Sequence, residues 1–106
     1  MRRVELSGER PLTAPGSVNA AVRRLGAHAQ AVVIELAPGG VVGRHPAAVA
    51  QLYAVIQGSG WVSGGDGERE QIRAGEAVVW EPGEEHESGS DDGMTVLVVE
   101  AESLDV

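Results

Sequence analysis

Short apolar runs separated by glycine and proline constrain the fold of this chain more than any other feature. The runs are rich in Val, Ile, Leu and Ala and cover Ala31–Leu36, Leu52–Ile56, Ala77–Trp80 and Thr95–Val99. Fifteen glycines and five prolines punctuate the sequence, as expected of turns between strands. Many short strands at close spacing are typical of a β-sandwich or β-barrel. The sequence therefore predicts an all-β fold.

The length of the chain, 106 residues, fits one domain. We predict a single domain over residues 1–106, with an extended N-terminal arm over 1–17 and a barrel core over about 30–100. The segment Asn19–Leu25 fits two helical turns when taken alone, but beside so many strands we interpret it as an edge strand. The cluster Gly64–Gly67 predicts the tip of a hairpin.

The charge of the chain argues against two classes of partner. With eight Arg and sixteen Asp or Glu, the formal net charge is −8, which disfavours nucleic acid and anionic membrane surfaces. There is no cysteine, so disulfides and thiolate metal sites are excluded. The N-terminus has no apolar stretch typical of a signal peptide, and a cytoplasmic protein is expected.

Two of the three histidines lie in glycine-bounded segments. Gly39–Gly58 carries His45, and Gly75–Ser90 carries His86. Strand-turn-strand segments with a histidine near the turn can bring two imidazoles together inside a barrel, and imidazole is the commonest metal ligand. These two residues therefore indicate a small metal or ligand site. His28 lies outside both segments, and we assign it no role.

The spacing within these segments resembles the two motifs of the cupin family. The first motif is Gly, five residues, His, one residue, His, three or four residues, Glu, six residues, Gly. Its positions are held here by Gly39, His45, Ala47, Gln51 and Gly58. The second is Gly, five residues, Pro, one residue, Gly, two residues, His, three residues, Asn. Its positions are held by Gly75, Glu81, Gly83, His86 and Ser90, with Pro82 displaced by one.

The resemblance implies a double-stranded β-helix, the cupin or jelly-roll barrel of two packed antiparallel sheets, often dimeric. It also implies a divalent metal held inside by three His and one Glu. Here Ala47 replaces one His and Gln51 replaces the Glu. His45, Gln51 and His86 remain as candidate ligands for Zn, Fe, Mn, Ni or Cu. The alternative is that the histidines are hydrogen-bonded remnants without metal and that Gln51 is a polar group of the pocket or of the strand.

Three further residues are candidates for the pocket or for the support of the metal ligands. Tyr53 shares strand parity with Gln51, so it is expected to line the cavity or to fill the core. Glu84 lies two positions before His86 and would be a ligand, an orienting group for His86 or part of a solvated acidic turn. Trp80 ends a predicted strand and is a candidate pocket wall or core residue.

The resemblance leads to two functional hypotheses. The first is a single-domain cupin that binds a divalent metal, a small polar molecule or both inside the barrel, including a metal-dependent enzyme of undefined substrate. The second is a non-catalytic cupin that has lost its metal, either a small-molecule-binding protein or a dimeric sensor or interaction protein. Whether the chain is an enzyme stays open, because cupins catalyse many reactions. Apolar residues on both faces of Thr95–Val99 need a cover on the outside of the barrel, which a dimer partner or the N-terminal arm would supply. We predict a homodimer, and the expected ligand is polar or anionic.

Overall fold

The computed structural model describes residues 7–11, 15–25, 29–102 and 104, with the backbone alone for 7–11 and 22–25. His28 lies outside the described residues. The regular elements of the described residues are strands: β1 Ser7–Pro11, β2 Val18–Leu25, β3 Gln30–Pro46, β4 Ala50–Ser63, β5 Arg69–Arg73, β6 Ala77–Trp80, β7 Glu85–Ser90 and β8 Met94–Ala101. Among these residues no helix is long and apolar enough to cross a membrane.

Two long strands, β3 and β4, build the barrel because each belongs to two sheets. The first half of β3 pairs with β8 and its second half with β7. The first half of β4 pairs with β6 and β8, and its second half with β5 and β7. All pairs are antiparallel, which gives one sheet in the order β1-β2-β3-β8-β4-β6 and a second in the order β3-β7-β4-β5. The predicted all-β jelly-roll barrel is confirmed.

Glycines mark the points where the two long strands pass from one sheet to the other. Gly39 in β3 and Gly58 in β4 have φ angles of 79° and 85°, which side chains with a Cβ rarely adopt. A Cβ on Gly58 would also overlap the carbonyl oxygen of Gly93. The glycines that begin and end the first histidine segment are therefore required by the turn of each strand between sheets.

The core fills the space between the inner faces of the two sheets. Strand β8 shows the alternation clearly, because Met94, Val96 and Val98 are buried while the residues between them are partly exposed. The other buried apolar side chains are Val32, Ile34, Leu36, Val42, Tyr53, Val55, Val62, Ile72 and Trp80. Alternation of this kind is what one buried face per strand produces.

The N-terminal part of the chain extends the first sheet. β1, which lies within the predicted arm, pairs with β2, and β2 pairs with β3. The segment Asn19–Leu25 is therefore a strand, as predicted, but the prediction that it lies at the edge of the sheet is wrong. β1 pairs with the edge of β2 that is opposite to β3, so β2 lies between two strands.

Candidate functional site

His45 and His86 lie side by side at one end of the barrel. They are direct cross-strand partners, His45 near the end of β3 and His86 near the start of β7. Their ring centroids are 4.3 Å apart, with an angle of 57° between the ring planes. His86 is 3% exposed, and His45 is partly buried. The structure therefore brings together the two histidines that the sequence singled out.

An irregularity in β3 turns His45 towards the interior. Between Val42 and His45, three steps along β3 match two steps along β7, from Ser88 to His86. In a regular strand that starts from the buried Val42, His45 would point to the outer face. The extra residue restores the inward direction, as β-bulges commonly do next to functional sites. His45 can contact His86 because of this bulge.

Backbone carbonyls fix the tautomer of both imidazole rings. The carbonyl oxygen of Gly43 lies 2.7 Å from His45 Nδ1, and that of Glu84 lies 3.1 Å from His86 Nδ1. A carbonyl only accepts, so each Nδ1 carries a proton that it donates, and in the neutral form of either ring Nε2 holds the lone pair. Burial lowers the pKa of His86; the Glu84 carbonyl opposes this shift, and the neighbouring His45 adds to it. His86 is therefore a neutral hydrogen-bond acceptor at neutral pH.

Two aromatic residues continue the row that the histidines begin. Trp80, at the end of β6, stacks on His86 with ring centroids 4.4 Å apart and 27° between the planes. Tyr53 on β4 contacts Trp80 edge to face, with centroids 5.1 Å apart. His45, His86, Trp80 and Tyr53 thus form a continuous row of rings inside the barrel. Trp80 is a core residue, and its role as a pocket wall stays a prediction.

The hydroxyl of Tyr53 lies deep in this row without a suitable partner. The residue is 2% exposed, and among the described residues no group makes a hydrogen bond of acceptable geometry to Oη. Burial raises the pKa of Tyr53 to about 12, and the nearby Ser88 hydroxyl only partly opposes this shift. A buried polar group without a partner costs about 1–3 kcal/mol. The interior of the barrel therefore offers an unused hydrogen-bonding group.

Gln51 faces the same end of the barrel and is bound to a carboxylate that the sequence reasoning missed. Its Nε2 donates a hydrogen bond to Oε1 of Glu100, with 2.8 Å between the two atoms. Glu100 is opposite Gln51 in the pairing of β4 with β8. Glu100 is also four positions after Val96 and two after Val98, both buried, so it faces the same side of β8 as they do. That alternation was the signal in the sequence that could have identified Glu100 as an inward residue.

Glu84 supports the site through its backbone more than through its carboxylate. The carboxylate accepts hydrogen bonds from the backbone N–H groups of Gly65 at 3.2 Å and Glu81 at 3.0 Å. It therefore ties the β4–β5 turn to the β6–β7 turn. The ring of His86 is oriented by the carbonyl of Glu84, and the same carbonyl accepts from the N–H of Ala47.

The side chains present fit a divalent metal in part. The atoms that would coordinate a metal are Nε2 of His45 and Nε2 of His86. The amide oxygen of Gln51 is a third candidate ligand atom and carries no charge. Among the described residues no group of three His, Cys, Asp or Glu converges on one point, and the buried Ala47 adds no ligand. Catalytic zinc usually has three protein ligands. The set is thus smaller than that of a typical metal site.

A cleft of about 450 Å³ adjoins the row of rings at Trp80. Its apolar lining includes Val62 and Val78, whereas its acidic lining consists of Asp66, Glu68, Glu70 and Glu84. No cationic side chain of the described residues lines it. The charged side chains that line the cleft are therefore all acidic.

Comparison with known proteins gives a consistent result. The family model described as "Cupin domain" matches residues 32–100. A predicted oxalate decarboxylase from Thermotoga maritima is 23% identical, with 90% of this chain and 91% of that chain covered and a TM-score of 0.79. The polyketide cyclase RemF from Streptomyces resistomycificus is 23% identical, with 97% and 80% covered and a TM-score of 0.81. An RmlC-like cupin from Shewanella frigidimarina is 19% identical, with 92% and 86% covered and a TM-score of 0.77. No curated protein matches the sequence.

Proposed function

Because the chain belongs to the cupin family, we propose that its barrel binds a small polar molecule beside His45, His86 and Trp80. One observation carries the proposal. Two imidazole rings with Nδ1 atoms hydrogen-bonded to backbone carbonyls lie at one end of a row of rings, and at the other end the buried Tyr53 hydroxyl has no partner. A core that served stability alone would be expected to satisfy its polar groups or to exclude them.

Each group of this row has a defined part in binding. The two Nε2 atoms accept hydrogen bonds from hydroxyl or amino groups of the ligand, while the Tyr53 hydroxyl donates or accepts one. Trp80 supplies an aromatic surface for the body of the ligand. A hydrogen bond contributes about 0.5–1.5 kcal/mol net, so three of them would distinguish a polar ligand from an apolar one of the same shape.

A second candidate function is divalent-metal binding by His45, His86 and Gln51. The bonds from both Nδ1 atoms to backbone carbonyls favour it, because metal-ligating histidines are held in this way. Zn, Fe, Mn, Ni or Cu would be held through Nε2, and such a metal would supply a Lewis acid for a bound substrate. This candidate includes a metal-dependent enzyme, whereas the first describes a binding protein.

Elemental analysis and ligand screening separate the two candidates. Protein without an affinity tag is compared with the His45→Ala/His86→Ala double variant, and His28→Gln serves as the matched control at the third histidine. Under the first candidate, the wild type carries less than one metal per ten chains after dialysis. Polar fragments then shift the NMR resonances of the Trp80 indole and the histidine rings. Under the second candidate, wild type and His28→Gln each carry about one metal per chain, and the double variant carries none.

Two results would contradict the proposals. If a broad panel of polar fragments left the Trp80 and histidine resonances unmoved in metal-free protein, the small-molecule site would be refuted. If metal bound equally well to the wild type and to the double variant, the assignment to His45 and His86 would be wrong. The backbone spectrum of the double variant shows whether the barrel is still folded.

A further inference from the structure

We infer that Glu100 makes this site selective for a small organic cation, such as one that bears a primary ammonium or an amidinium group. The inference rests on the proposed function, since it names the class of ligand that the same site would take. It is argued from the direction of Glu100, from its hydrogen bond to Gln51 and from the positions of the described positive charges.

Glu100 lies on the inner face near the end of β8. Val96 and Val98, which share its parity, are 0% and 3% exposed, while Glu100 itself is partly exposed. Its Oε1 accepts one hydrogen bond from Gln51 Nε2 at 2.8 Å. An ionised carboxylate has about four lone-pair sites, so a single amide donor leaves most of its accepting capacity for a ligand.

Glu100 is close to the row of rings through Gln51. In β4, Gln51 is the direct partner of Glu100 on one side and of Trp80 on the other. Neighbouring strands are about 4.8 Å apart, so the Cα atoms of Glu100 and Trp80 are roughly 10 Å apart. The side chain of Gln51 lies between them and is hydrogen-bonded to Glu100. Glu100 therefore lies two strands away from Trp80, on the other side of Gln51.

The positive charges of the described side chains are engaged elsewhere. Arg44 donates to the carbonyls of Gly64 and Gly65, and Arg69 lies over the Trp61 ring. Arg73 pairs with Glu76. Gln51 is thus the partner of Glu100 among the side chains that the structure describes, and the carboxylate charge is not compensated by a described arginine.

The site therefore favours a ligand that carries hydrogen-bond donors over one that carries hydrogen-bond acceptors. The Glu100 carboxylate and Nε2 of the neutral His86 ring are both hydrogen-bond acceptors. The cleft beside Trp80 adds further carboxylates. An anion would be repelled by Glu100, whereas an ammonium group would pair with it. An anionic ligand would require a bound metal ion. Because the amide of Gln51 is neutral, the positive charge of that ion would remain to attract the anion.

Three probes of similar size test this selectivity. Ethanolamine, ethylene glycol and glycolate differ in one terminal group, which is cationic, neutral or anionic. Each is titrated into metal-free protein while the Trp80 indole and histidine ring resonances are followed by NMR. We expect ethanolamine to bind at least tenfold more tightly than glycolate. Glu100→Gln, which can still accept from Gln51, should weaken ethanolamine binding by about tenfold.

The control is Glu102→Gln, which removes the same charge from an exposed residue and should change ethanolamine binding less than twofold. If glycolate or ethylene glycol binds more tightly than ethanolamine, or if Glu100→Gln leaves ethanolamine binding unchanged, the inference is overturned and the proposed function stands. If none of the probes moves these resonances, the inference falls, and the fragment panel described above decides separately on the proposed function.

Discussion

Replacing Tyr53 with Phe tests whether the buried hydroxyl lacks a partner within the protein. The change removes one oxygen and keeps the ring that packs against Trp80. Because the hydroxyl is buried and unpaired, its desolvation costs about 1–3 kcal/mol. We therefore expect Tyr53→Phe to raise the free energy of unfolding by about 1 kcal/mol in the absence of ligand. For a chain of this size, that corresponds to a rise in Tm of about 4 °C.

The same substitution has a second signature at high pH. Burial raises the pKa of Tyr53 from 10.0 to about 12, so the unfolded chain releases this proton before the folded chain does. The stability from this group is complete below pH 10 and is lost as the pH rises from 10 to 12. Two pH units at about 1.4 kcal/mol each give a loss of about 2–3 kcal/mol. Tyr53→Phe should lack this part of the alkaline destabilisation.

Urea unfolding at pH 7 and at steps from pH 9 to 12 measures both effects. Ser88→Ala is the control, because Ser88 is the neighbour that would pair with Tyr53. A double-mutant cycle of the two substitutions should show a coupling energy close to zero. A loss of more than about 1 kcal/mol in Tyr53→Phe at pH 7, together with clear coupling to Ser88, would refute the reasoning, because the hydroxyl would then have an internal partner.

Three further predictions concern the site, the barrel and the outer surface. The pKa of His86 is lowered, mainly by burial, so the stability from the neutral ring is present above pH 6.5 and is lost as the pH falls below it. Urea unfolding should show His86→Gln to be less sensitive to acid than the wild type. A Cβ at Gly60 would overlap the Gly89 carbonyl oxygen, so Gly60→Ala should lower Tm by several degrees, whereas Gly65→Ala, which has ordinary contacts, should be nearly neutral. Ile56 is 59% exposed, and if this face forms the predicted homodimer, Ile56→Asp should give a monomer in analytical ultracentrifugation.

Each of these predictions has an opposite outcome that would contradict it. Equal acid sensitivity of wild type and His86→Gln would mean that His86 is not the group that titrates. A Gly60→Ala variant as stable as Gly65→Ala would show that β4 and β7 are not as close at Gly60 and Gly89. Wild-type protein that is monomeric at all concentrations would remove the homodimer prediction, whatever Ile56→Asp does.

The sequence predicted those features of the fold and site that depend on local pattern. Apolar runs between glycines predicted the strands, the two glycine-bounded segments singled out the histidine pair, and their resemblance to the cupin motifs implied the jelly-roll barrel. Tyr53 was expected inside because it shares parity with Gln51, and the structure buries it. These inferences succeeded because alternation and turn residues depend on neighbours in the chain, which any reader of the sequence can see.

Only the tertiary structure decided how the candidate groups meet. His45 faces His86 because a bulge in β3 forms against β7, and strict alternation from Val42 would have turned it outwards. Gln51 meets Glu100, which is 49 residues away, and β2 is covered by a strand from the N-terminal arm. A register shift and a contact between distant residues follow from how whole strands pair and close the barrel. The order of residues within one strand does not encode them.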